Sequence, residues 1–262
     1  RAIPLLDVKD PAELPWDDLD VDVGFECTGI FRTYDDASAH LDAGAEKVVI
    51  SAPPKGEKDV LQIVYGVNHE SYAGEDVVSN ASCTTNSVAP VASVLQEEFG
   101  IESGLLTTVH AYTGTQNILD GPNGKTRRGR AAAENIVPTS TGAAQATTEV
   151  LPELEGRLDG MAMRVPVPDG SITDLVVDLE ADVGPEQVNE AFREAADGRL
   201  AGVLGYTDDE IVSRDVVGQP FSSLVDLDST MSANGLTKVL TWYDNEYGFA
   251  NRMLDVGRHI AE

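Results

Sequence analysis

Short apolar runs alternate with amphipathic stretches in the first third of the chain. The β-branched run Lys47-Val48-Val49-Ile50-Ser51 predicts a buried strand. Thr33 and Asp36 form the start signal of a helix over 34–43, and Gly44 supplies its stop signal. Further strands are predicted at 2–6, 21–27 and 60–66. Strands separated by helices of this length favour a parallel, doubly wound sheet of the Rossmann type, which is an α/β domain.

The pattern changes after this region, where predicted strands follow one another with few helices between them. Pro185 suits the first turn of an amphipathic helix over 185–196, and apolar residues at helical spacing predict another helix over 251–260. The predicted strands are 105–111, 162–167, 171–179, 211–217, 223–228 and 236–243. Such a succession favours a mostly antiparallel sheet with helices on one face, an α+β domain. The expected domain ranges are 1–82, 83–244 and 245–262.

The charge of the chain narrows the classes of function. Its 262 residues include 45 acidic and 18 basic side chains, which give a formal net charge of −27. Because the carboxylates are spread along the chain, an acidic disordered arm is not indicated. High salt screens the self-repulsion of such a charge, which favours adaptation to a salt-rich cytoplasm; an ordinary soluble acidic protein is the alternative. Binding to DNA, RNA or an anionic membrane is disfavoured.

Cysteine content and hydropathy indicate the cellular compartment. The chain has two cysteines, Cys27 and Cys83, which are far apart in sequence and form no disulfide framework. This usage fits a reducing cytosol. No apolar run reaches the roughly 18 residues of a membrane-spanning helix, and no secretory signal pattern is present. We therefore expect a cytoplasmic protein without a membrane partner.

Cys83 lies at a predicted junction between a strand and a helix. Val77 and Val78 end a buried run, and the segment 87–99 carries apolar residues at helical spacing up to Gly100. Unpaired N–H groups and the positive end of the helix dipole favour a thiolate at such a position. A buried structural thiol is the alternative, because free cysteines are commonly buried.

The histidines and a basic cluster have two possible interpretations. His110 closes a predicted strand in a threonine-rich setting, where a solitary histidine is most often structural. His40, His69 and His259 are predicted at the surface without partners, and no histidine or cysteine pair has the spacing of metal ligands. The basic cluster lies in a predicted loop and consists of Arg127, Arg128 and Arg130. These arginines suit phosphate or nucleic acid, or ion pairs with nearby carboxylates.

Several motifs together resemble one family. The segment Ala81-Ser82-Cys83-Thr84-Thr85-Asn86 matches the active-site signature of phosphorylating glyceraldehyde-3-phosphate dehydrogenase. Further stretches resemble that family in the same order: 107–113, 127–135, 138–144, 160–166 and 242–246. The Gly-x-Gly-x-x-Gly fingerprint with which the family begins does not occur, so we expect the initial βαβ portion to be absent.

The resemblance implies a catalytic pair and two anion sites. Cys83 would attack the aldehyde of glyceraldehyde 3-phosphate, and His110 would stabilise the thiolate and act as general acid and base. Inorganic phosphate would cleave the resulting thioester to give 1,3-bisphosphoglycerate. The positions that match the phosphate ligands of the family are Ser82, Thr84, Thr113, Thr141, Gly142 and Arg164.

The resemblance also implies a nicotinamide cofactor and an oligomer. Turns after two predicted strands match the family's cofactor contacts, as does an asparagine near the C-terminal helix; these residues are Thr28, Gly29, Ser51 and Asn245. Pro122 favours NAD, whereas Gly121 leaves NADP open. Members of the family are homotetramers, and their C-terminal helix packs on the cofactor domain.

Three other functions remain open at this point. Erythrose-4-phosphate dehydrogenase is a close relative that uses the same thiol and hydride chemistry. A cofactor-free Cys–His hydrolase would hydrolyse esters without NAD. A structural or binding fragment would have neither activity. Formation of NADH from an aldehyde that depends on phosphate supports the dehydrogenase, and ester hydrolysis without cofactor supports the hydrolase.

Overall fold

A computed structural model describes residues 3–262, which divide into two units. The first unit comprises the described residues up to Ile63, together with His69–Ala81 and Met253–Glu262. The second unit comprises Val64–Asn68 and Ser82–Arg252. The domain ranges expected from the sequence stay a prediction.

The first unit contains a parallel sheet of four strands. The strands are β1 (Val23–Glu26), β2 (Lys47–Ile50), β3 (Leu61–Gln62) and β4 (Val77–Ser79), in the spatial order β1-β2-β4-β3. All three strand pairs are parallel. Val48, Val49 and Ile50 are fully buried, which is typical of a parallel sheet that is covered on both faces. The predicted α/β class is confirmed for this unit.

Two predicted strands of the first unit are shorter than expected or absent. Ala2 lies outside the described residues, and Ile3–Leu6 form no strand; the side chains of Ile3 and Leu5 are exposed. The strand predicted at 60–66 is only two residues long, because the chain turns soon afterwards. In that turn, the amide of Val64 donates to Asn68 Oδ1 at 2.8 Å. A backbone donor used in a local turn is no longer available to a sheet ladder.

The helix predicted over 34–43 is divided into two short helices. They are α1 (Tyr34–Ala37), whose N-cap Thr33 accepts from the amide of Asp36, and α2 (Ala39–Asp42). Ser38 lies between them, and its hydroxyl donates to the carbonyl of Tyr34 at 2.7 Å. Such a local side-chain bond competes with continuous helical bonding.

The prediction of surface histidines without partners is wrong. His40 is buried, its Nε2 lies 3.0 Å from Glu26 Oε2, and its Nδ1 accepts from the indole of Trp16 at 3.1 Å. His69 and His259 pack edge to face with ring centroids 5.2 Å apart. The sequence pattern could not identify these contacts, because each joins residues that are distant along the chain.

The second unit contains a seven-stranded mixed sheet. Its strands are β5 (Ile101–Ala111), β6 (Val137–Ser140), β7 (Leu158–Val165), β8 (Ser171–Leu179), β9 (Leu204–Thr207), β10 (Ser223–Ala233) and β11 (Leu236–Tyr243). The spatial order is β6-β7-β5-β8-β11-β10-β9. The pairs β5–β7 and β9–β10 are parallel, and the other four pairs are antiparallel. The predicted mostly antiparallel α+β architecture is therefore confirmed.

Helices cover the apolar core of the second unit. These helices are α3 (Cys83–Phe99), α4 (Ala143–Val150) and α5 (Pro185–Asp197). A further helix, α6 (Tyr247–Ile260), follows β11, and its residues from Met253 onward belong to the first unit. Val91 and Leu95 of α3 and Phe192 of α5 are fully buried in one apolar cluster with Leu175 and Val177 of β8. Burial of such side chains contributes about 1.5–3 kcal/mol each, so α3 is firmly held against the sheet.

The strand predicted at 211–217 does not form. Within this segment the amide of Val212 donates to Asp215 Oδ2 at 2.8 Å, and the amide of Asp215 donates back to the carbonyl of Val212 at 2.9 Å. The segment is thus a local turn closed by its own carboxylate. Among the described residues, no helix has both the length and the apolar composition needed to cross a bilayer.

Candidate active site

Cys83 is the first residue of helix α3. Ala81 precedes it with a left-handed backbone, φ 54°, which redirects the chain between strand and helix. Ser82 is the N-cap, and its Oγ accepts from the amide of Thr85 at 3.1 Å. The thiol therefore lies at the end of the helix where backbone N–H groups are unpaired. Ser82, a predicted phosphate ligand, has its hydroxyl engaged in this cap.

His110 faces the thiol from the end of strand β5. Its Nε2 lies 3.4 Å from Cys83 Sγ, and its Nδ1 lies 2.7 Å from the carbonyl oxygen of Ala111. Arg164 Nη1 lies 2.8 Å from both Nδ1 and that oxygen and can donate to the oxygen, whereas a lone pair on Nδ1 would be repelled by the oxygen; we therefore assign the ring proton to Nδ1. The lone pair of Nε2 then points to the thiol. In this tautomer His110 can accept the proton of Cys83.

Both groups of this pair are neutral near pH 7. Burial raises the pKa of the Cys83 thiol, although the charge of Arg164 and hydrogen bonds from Thr84 act in the opposite direction. Burial, followed by the charge of Arg164, lowers the pKa of His110 to about 4. Burial thus opposes the thiolate that the helix terminus favours. The imidazole stays unprotonated and is available as a base.

Arg164 provides a positive charge beside the histidine. It is the register partner of His110 on the parallel strand β7, and its Nη1 lies 2.8 Å from the Ala111 carbonyl oxygen and 3.4 Å from Thr113 Oγ1. Its Nε is buried without a hydrogen-bond partner among residues 3–262. A buried donor without a partner indicates that a ligand completes the site, and a guanidinium suits an anion.

Arg128 belongs to the same polar cluster, which the sequence did not distinguish. Its Nε donates to Thr139 Oγ1 at 3.0 Å and its Nη1 donates to Thr115 Oγ1 at 3.1 Å. Thr115 in turn contacts Thr113 at 3.0 Å between hydroxyls. The expected ion pair with a carboxylate is present at Arg130, which binds Asp120, but Arg128 has none within the described part of the chain.

The remaining predicted phosphate ligands have local roles in this structure. Thr84 is buried and its Oγ1 lies 2.9 Å from the hydroxyl of Tyr243, which the sequence analysis missed. Thr141 Oγ1 accepts from the amide of Ala143 at 3.1 Å, and the exposed Gly142 is the N-cap of α4. The amide of Ala143 is thus engaged by Thr141, whereas Gly142 is exposed.

The predicted cofactor residues are divided between the two units. In the first unit, Thr28 and Gly29 follow β1, and Ser51 follows β2, at the carboxyl ends of parallel strands. The amide of Thr28 donates to Glu26 Oε1 at 2.7 Å, and the Thr28 hydroxyl contacts the same oxygen. Gly29 has φ 71°, and nothing lies within 4 Å of a Cβ built there. An open backbone at this edge of a doubly wound sheet fits a dinucleotide.

Asn245 lies in the second unit and is buried, with 6% of its surface exposed. Its Oδ1 accepts from the hydroxyl of Ser171 at 2.8 Å. The side chain therefore has a fixed amide group, which is suited to a ligand that carries an amide of its own. Among the described residues, no group of three or more His, Cys, Asp or Glu side chains has the arrangement of a metal site.

The site brings together a thiol, an imidazole and two arginines, an arrangement that suits an enzyme with a cysteine nucleophile and an anionic substrate. The sequence profile of the family "Glyceraldehyde 3-phosphate dehydrogenase, C-terminal domain" matches residues 82–245. The chain belongs to the glyceraldehyde-3-phosphate dehydrogenase family and is an oxidoreductase, as its sequence motifs predicted.

Curated relatives match nearly the whole chain. It is 72% identical over 253 residues to glyceraldehyde-3-phosphate dehydrogenase of Haloarcula vallismortis. The aligned region covers 97% of this chain and 76% of the relative. It is 55% identical over 260 residues to the enzyme of that name from Streptomyces coelicolor, and the aligned region covers 98% of this chain and 77% of that enzyme. An enzyme of Mycobacterium bovis is 55% identical over 247 residues, with 94% and 72% covered. The Haloarcula relative also supports the predicted adaptation to high salt.

Proposed function

We propose that this chain oxidises glyceraldehyde 3-phosphate to 1,3-bisphosphoglycerate with a nicotinamide cofactor and inorganic phosphate. The observation that carries the proposal is the contact of 3.4 Å between Cys83 Sγ and His110 Nε2 at the start of α3, with Arg164 next to the same imidazole. A thiol, a base and an unpaired cation are what thioester chemistry on a phosphorylated aldehyde requires.

In the first half-reaction, His110 Nε2 accepts the proton of Cys83 as the sulfur attacks the aldehyde carbon. The protonated Nε2 and the Cys83 backbone N–H then donate to the oxygen of the thiohemiacetal. His110 next accepts the hydroxyl proton while the carbon loses hydride, which leaves a thioester on Cys83. The bound nicotinamide supplies the hydride acceptor. Because the imidazole starts neutral, it can act as a base in both steps.

In the second half-reaction, inorganic phosphate attacks the thioester carbon and the Cys83 thiolate leaves. Arg164 and Arg128 are the cations that would hold the phosphate groups, and the hydroxyl of Thr113 lies between them. Arginine suits this role because its planar guanidinium binds two phosphate oxygens at once. Ser82, Thr84, Thr141 and Gly142 are proposed to complete these sites with hydroxyl and backbone donors.

We propose NAD as the cofactor, and the residues that match the family's cofactor contacts are Thr28, Gly29, Ser51 and Asn245. The open backbone at Gly29 supports a close approach of the dinucleotide, and the fixed amide of Asn245 supports a contact with the nicotinamide carboxamide. Pro122 favours NAD over NADP on the family pattern. Parallel titrations with the two cofactors decide this preference.

We further propose that the protein is a cytoplasmic homotetramer that binds neither nucleic acid nor membrane. Several large apolar side chains of the second sheet are exposed in the single chain, among them Leu105 (67%), Met231 (52%) and Leu236 (48%). Apolar groups on one sheet support burial against another subunit. Light scattering at high salt tests this, and a mass of one subunit would contradict it.

The substrate assay tests the proposal against its alternatives. We expect glyceraldehyde 3-phosphate and NAD to give NADH at a rate that depends on inorganic phosphate, in buffer of high salt. Erythrose 4-phosphate should be a much poorer substrate, with kcat/KM lower by about tenfold or more. Hydrolysis of simple esters without cofactor, together with no NADH formation, would instead support a Cys–His hydrolase.

Substitution of Arg128 by alanine is expected to weaken phosphate-group binding. The KM for glyceraldehyde 3-phosphate or for inorganic phosphate should rise about tenfold to a hundredfold, because a charged hydrogen-bond donor is lost from the site. The matched control is Arg193→Ala on α5, whose guanidinium pairs with Asp208 at 3.0 Å. Equal KM changes in the two variants would contradict a specific role for Arg128.

A further inference from the structure

The shorter of the two side-chain contacts that orient Asn245 comes from the hydroxyl of Ser171. Ser171 is the first residue of β8, which lies between β5 and β11 in the sheet. Its Oγ forms hydrogen bonds with the backbone amide of Ala111 at the end of β5 and with the side chain of Asn245, just past the end of β11. Ser171 and Asn245 are 1% and 6% exposed, so water does not compete freely for these contacts.

The direction of each hydrogen bond follows from the donors. The amide of Ala111 can only donate, and it donates to Ser171 Oγ at 3.1 Å. The hydroxyl proton of Ser171 is therefore free to be donated to Asn245, at 2.8 Å. The recipient must be an acceptor, which identifies that end of the Asn245 amide as Oδ1. The other end, Nδ2, is then the donor, and it lies 3.4 Å from Glu246 Oε1.

We propose that Ser171 is a positioning residue for the nicotinamide cofactor: it holds the Asn245 amide so that Nδ2 faces the carboxamide oxygen. The inference rests on the proposed role of Asn245 as a cofactor ligand. Without the Ser171 hydroxyl, only the longer contact of Nδ2 with Glu246 Oε1, at 3.4 Å, opposes a flip of the Asn245 amide that presents Oδ1 to the carboxamide oxygen. Two acceptors that face each other repel, so the fraction of protein molecules with a flipped Asn245 amide would be unable to bind the cofactor.

The backbone around Asn245 is fixed independently of Ser171. Asp244 accepts from the amides of Glu246 at 2.9 Å and Tyr247 at 2.8 Å, and its other oxygen accepts from Gly218 at 2.7 Å. Asp244 thereby caps the start of α6. Loss of the Ser171 hydroxyl is thus expected to change the orientation of the Asn245 side chain and not the path of its backbone.

The first test is Ser171→Ala in the intact protein. Calorimetric titration with NAD should give a dissociation constant about fivefold higher than that of the wild type, the equivalent of one lost hydrogen bond. The KM for NAD should rise by a similar factor, while kcat at saturating NAD and the alkylation rate of Cys83 without cofactor stay within about twofold. Ser171→Thr keeps the hydroxyl and should bind NAD like the wild type.

Thr173→Val is the matched control. Thr173 is fully buried two residues further along β8, and its hydroxyl has no hydrogen-bond partner among residues 3–262. Its removal should leave the affinity for NAD unchanged. If Thr173→Val weakens NAD binding as much as Ser171→Ala, the Ser171 effect is only structural and the inference is overturned. Normal NAD binding by Ser171→Ala overturns it as well.

Two variants of Asn245 separate the inference from the proposed function. Asn245→Asp keeps an acceptor for Ser171 but removes the donor end, so NAD binding should fall as far as in Asn245→Ala; this test holds even if Ser171→Ala does not fold. Wild-type affinity in Asn245→Asp, with weak binding in Asn245→Ala, overturns the inference alone. Wild-type affinity in both overturns the inference together with the role of Asn245.

Discussion

Replacement of Cys83 by serine is expected to lower aldehyde oxidation by about a thousandfold or more. The serine hydroxyl is far less acidic and less nucleophilic than the thiol, so the same imidazole activates it much less. The variant should fold normally, because the two side chains differ by one atom. Steady-state NADH formation at saturating phosphate is the measurement.

Cys27→Ser is the control for the first prediction. Cys27 is the other free cysteine of the described chain and is exposed in the first unit. Its substitution should leave kcat within about twofold of the wild type, because nothing places its sulfur in the reaction. If Cys83→Ser retains the wild-type rate, or if Cys27→Ser loses it, the assignment of the nucleophile is wrong.

Replacement of His110 by asparagine is expected to have the second largest effect. Loss of the base at Nε2 should lower kcat by about a hundredfold to ten-thousandfold, since the proton of the thiol and the hydroxyl proton of the thiohemiacetal lose their acceptor.

In the wild type, alkylation of Cys83 by iodoacetamide should rise with pH, without a plateau between about pH 6 and pH 8, since burial raises the pKa of the thiol. Such a plateau would indicate a resting thiolate and contradict the neutral pair.

The folded state of His110→Asn should lose less stability in acid than that of the wild type. The folded pKa of His110, about 4, lies below the usual value of 6.5, so the unfolded chain binds a proton that the folded chain does not. The wild type therefore loses stability as the pH falls from about 6.5 to 4, by about 3 kcal/mol at most. Denaturant unfolding at pH 7 and pH 4.5 measures this loss, which should be smaller in His110→Asn. An equal loss in both proteins would exclude a buried, neutral His110.

The sheets were largely predictable where a strand has a simple burial pattern. Residues 171–179 alternate between buried and partly exposed along β8; Leu175, Val177 and Leu179 are buried, and Asp174 and Asp178 are on the partly exposed side. Residues 48–50 are β-branched and buried in β2. The segment 211–217 has similar apolar residues, but the carboxylate of Asp215 closes it into a turn. Apolar composition alone does not reveal such a local competition for backbone donors.

The reactive residues were predictable from motifs, whereas their electrostatics were not. Cys83 and His110 stand in recognisable segments, but the degree of burial that raises one pKa and lowers the other depends on the whole unit. The sequence showed Arg128 only as one member of a cluster of three arginines. Its partners Thr139 and Thr115 lie 11 and 13 residues away in the sequence, and no local pattern separates it from the ion-paired Arg130.

The most direct test of covalent catalysis by Cys83 is a single turnover without phosphate. Glyceraldehyde 3-phosphate and NAD should give a burst of NADH that approaches one equivalent per active chain, and mass spectrometry should find the 3-phosphoglyceryl group on the peptide that contains Cys83. Added phosphate should then release this group and start steady turnover. A burst with no acyl group on that peptide, or with the group on Cys27, would contradict the account.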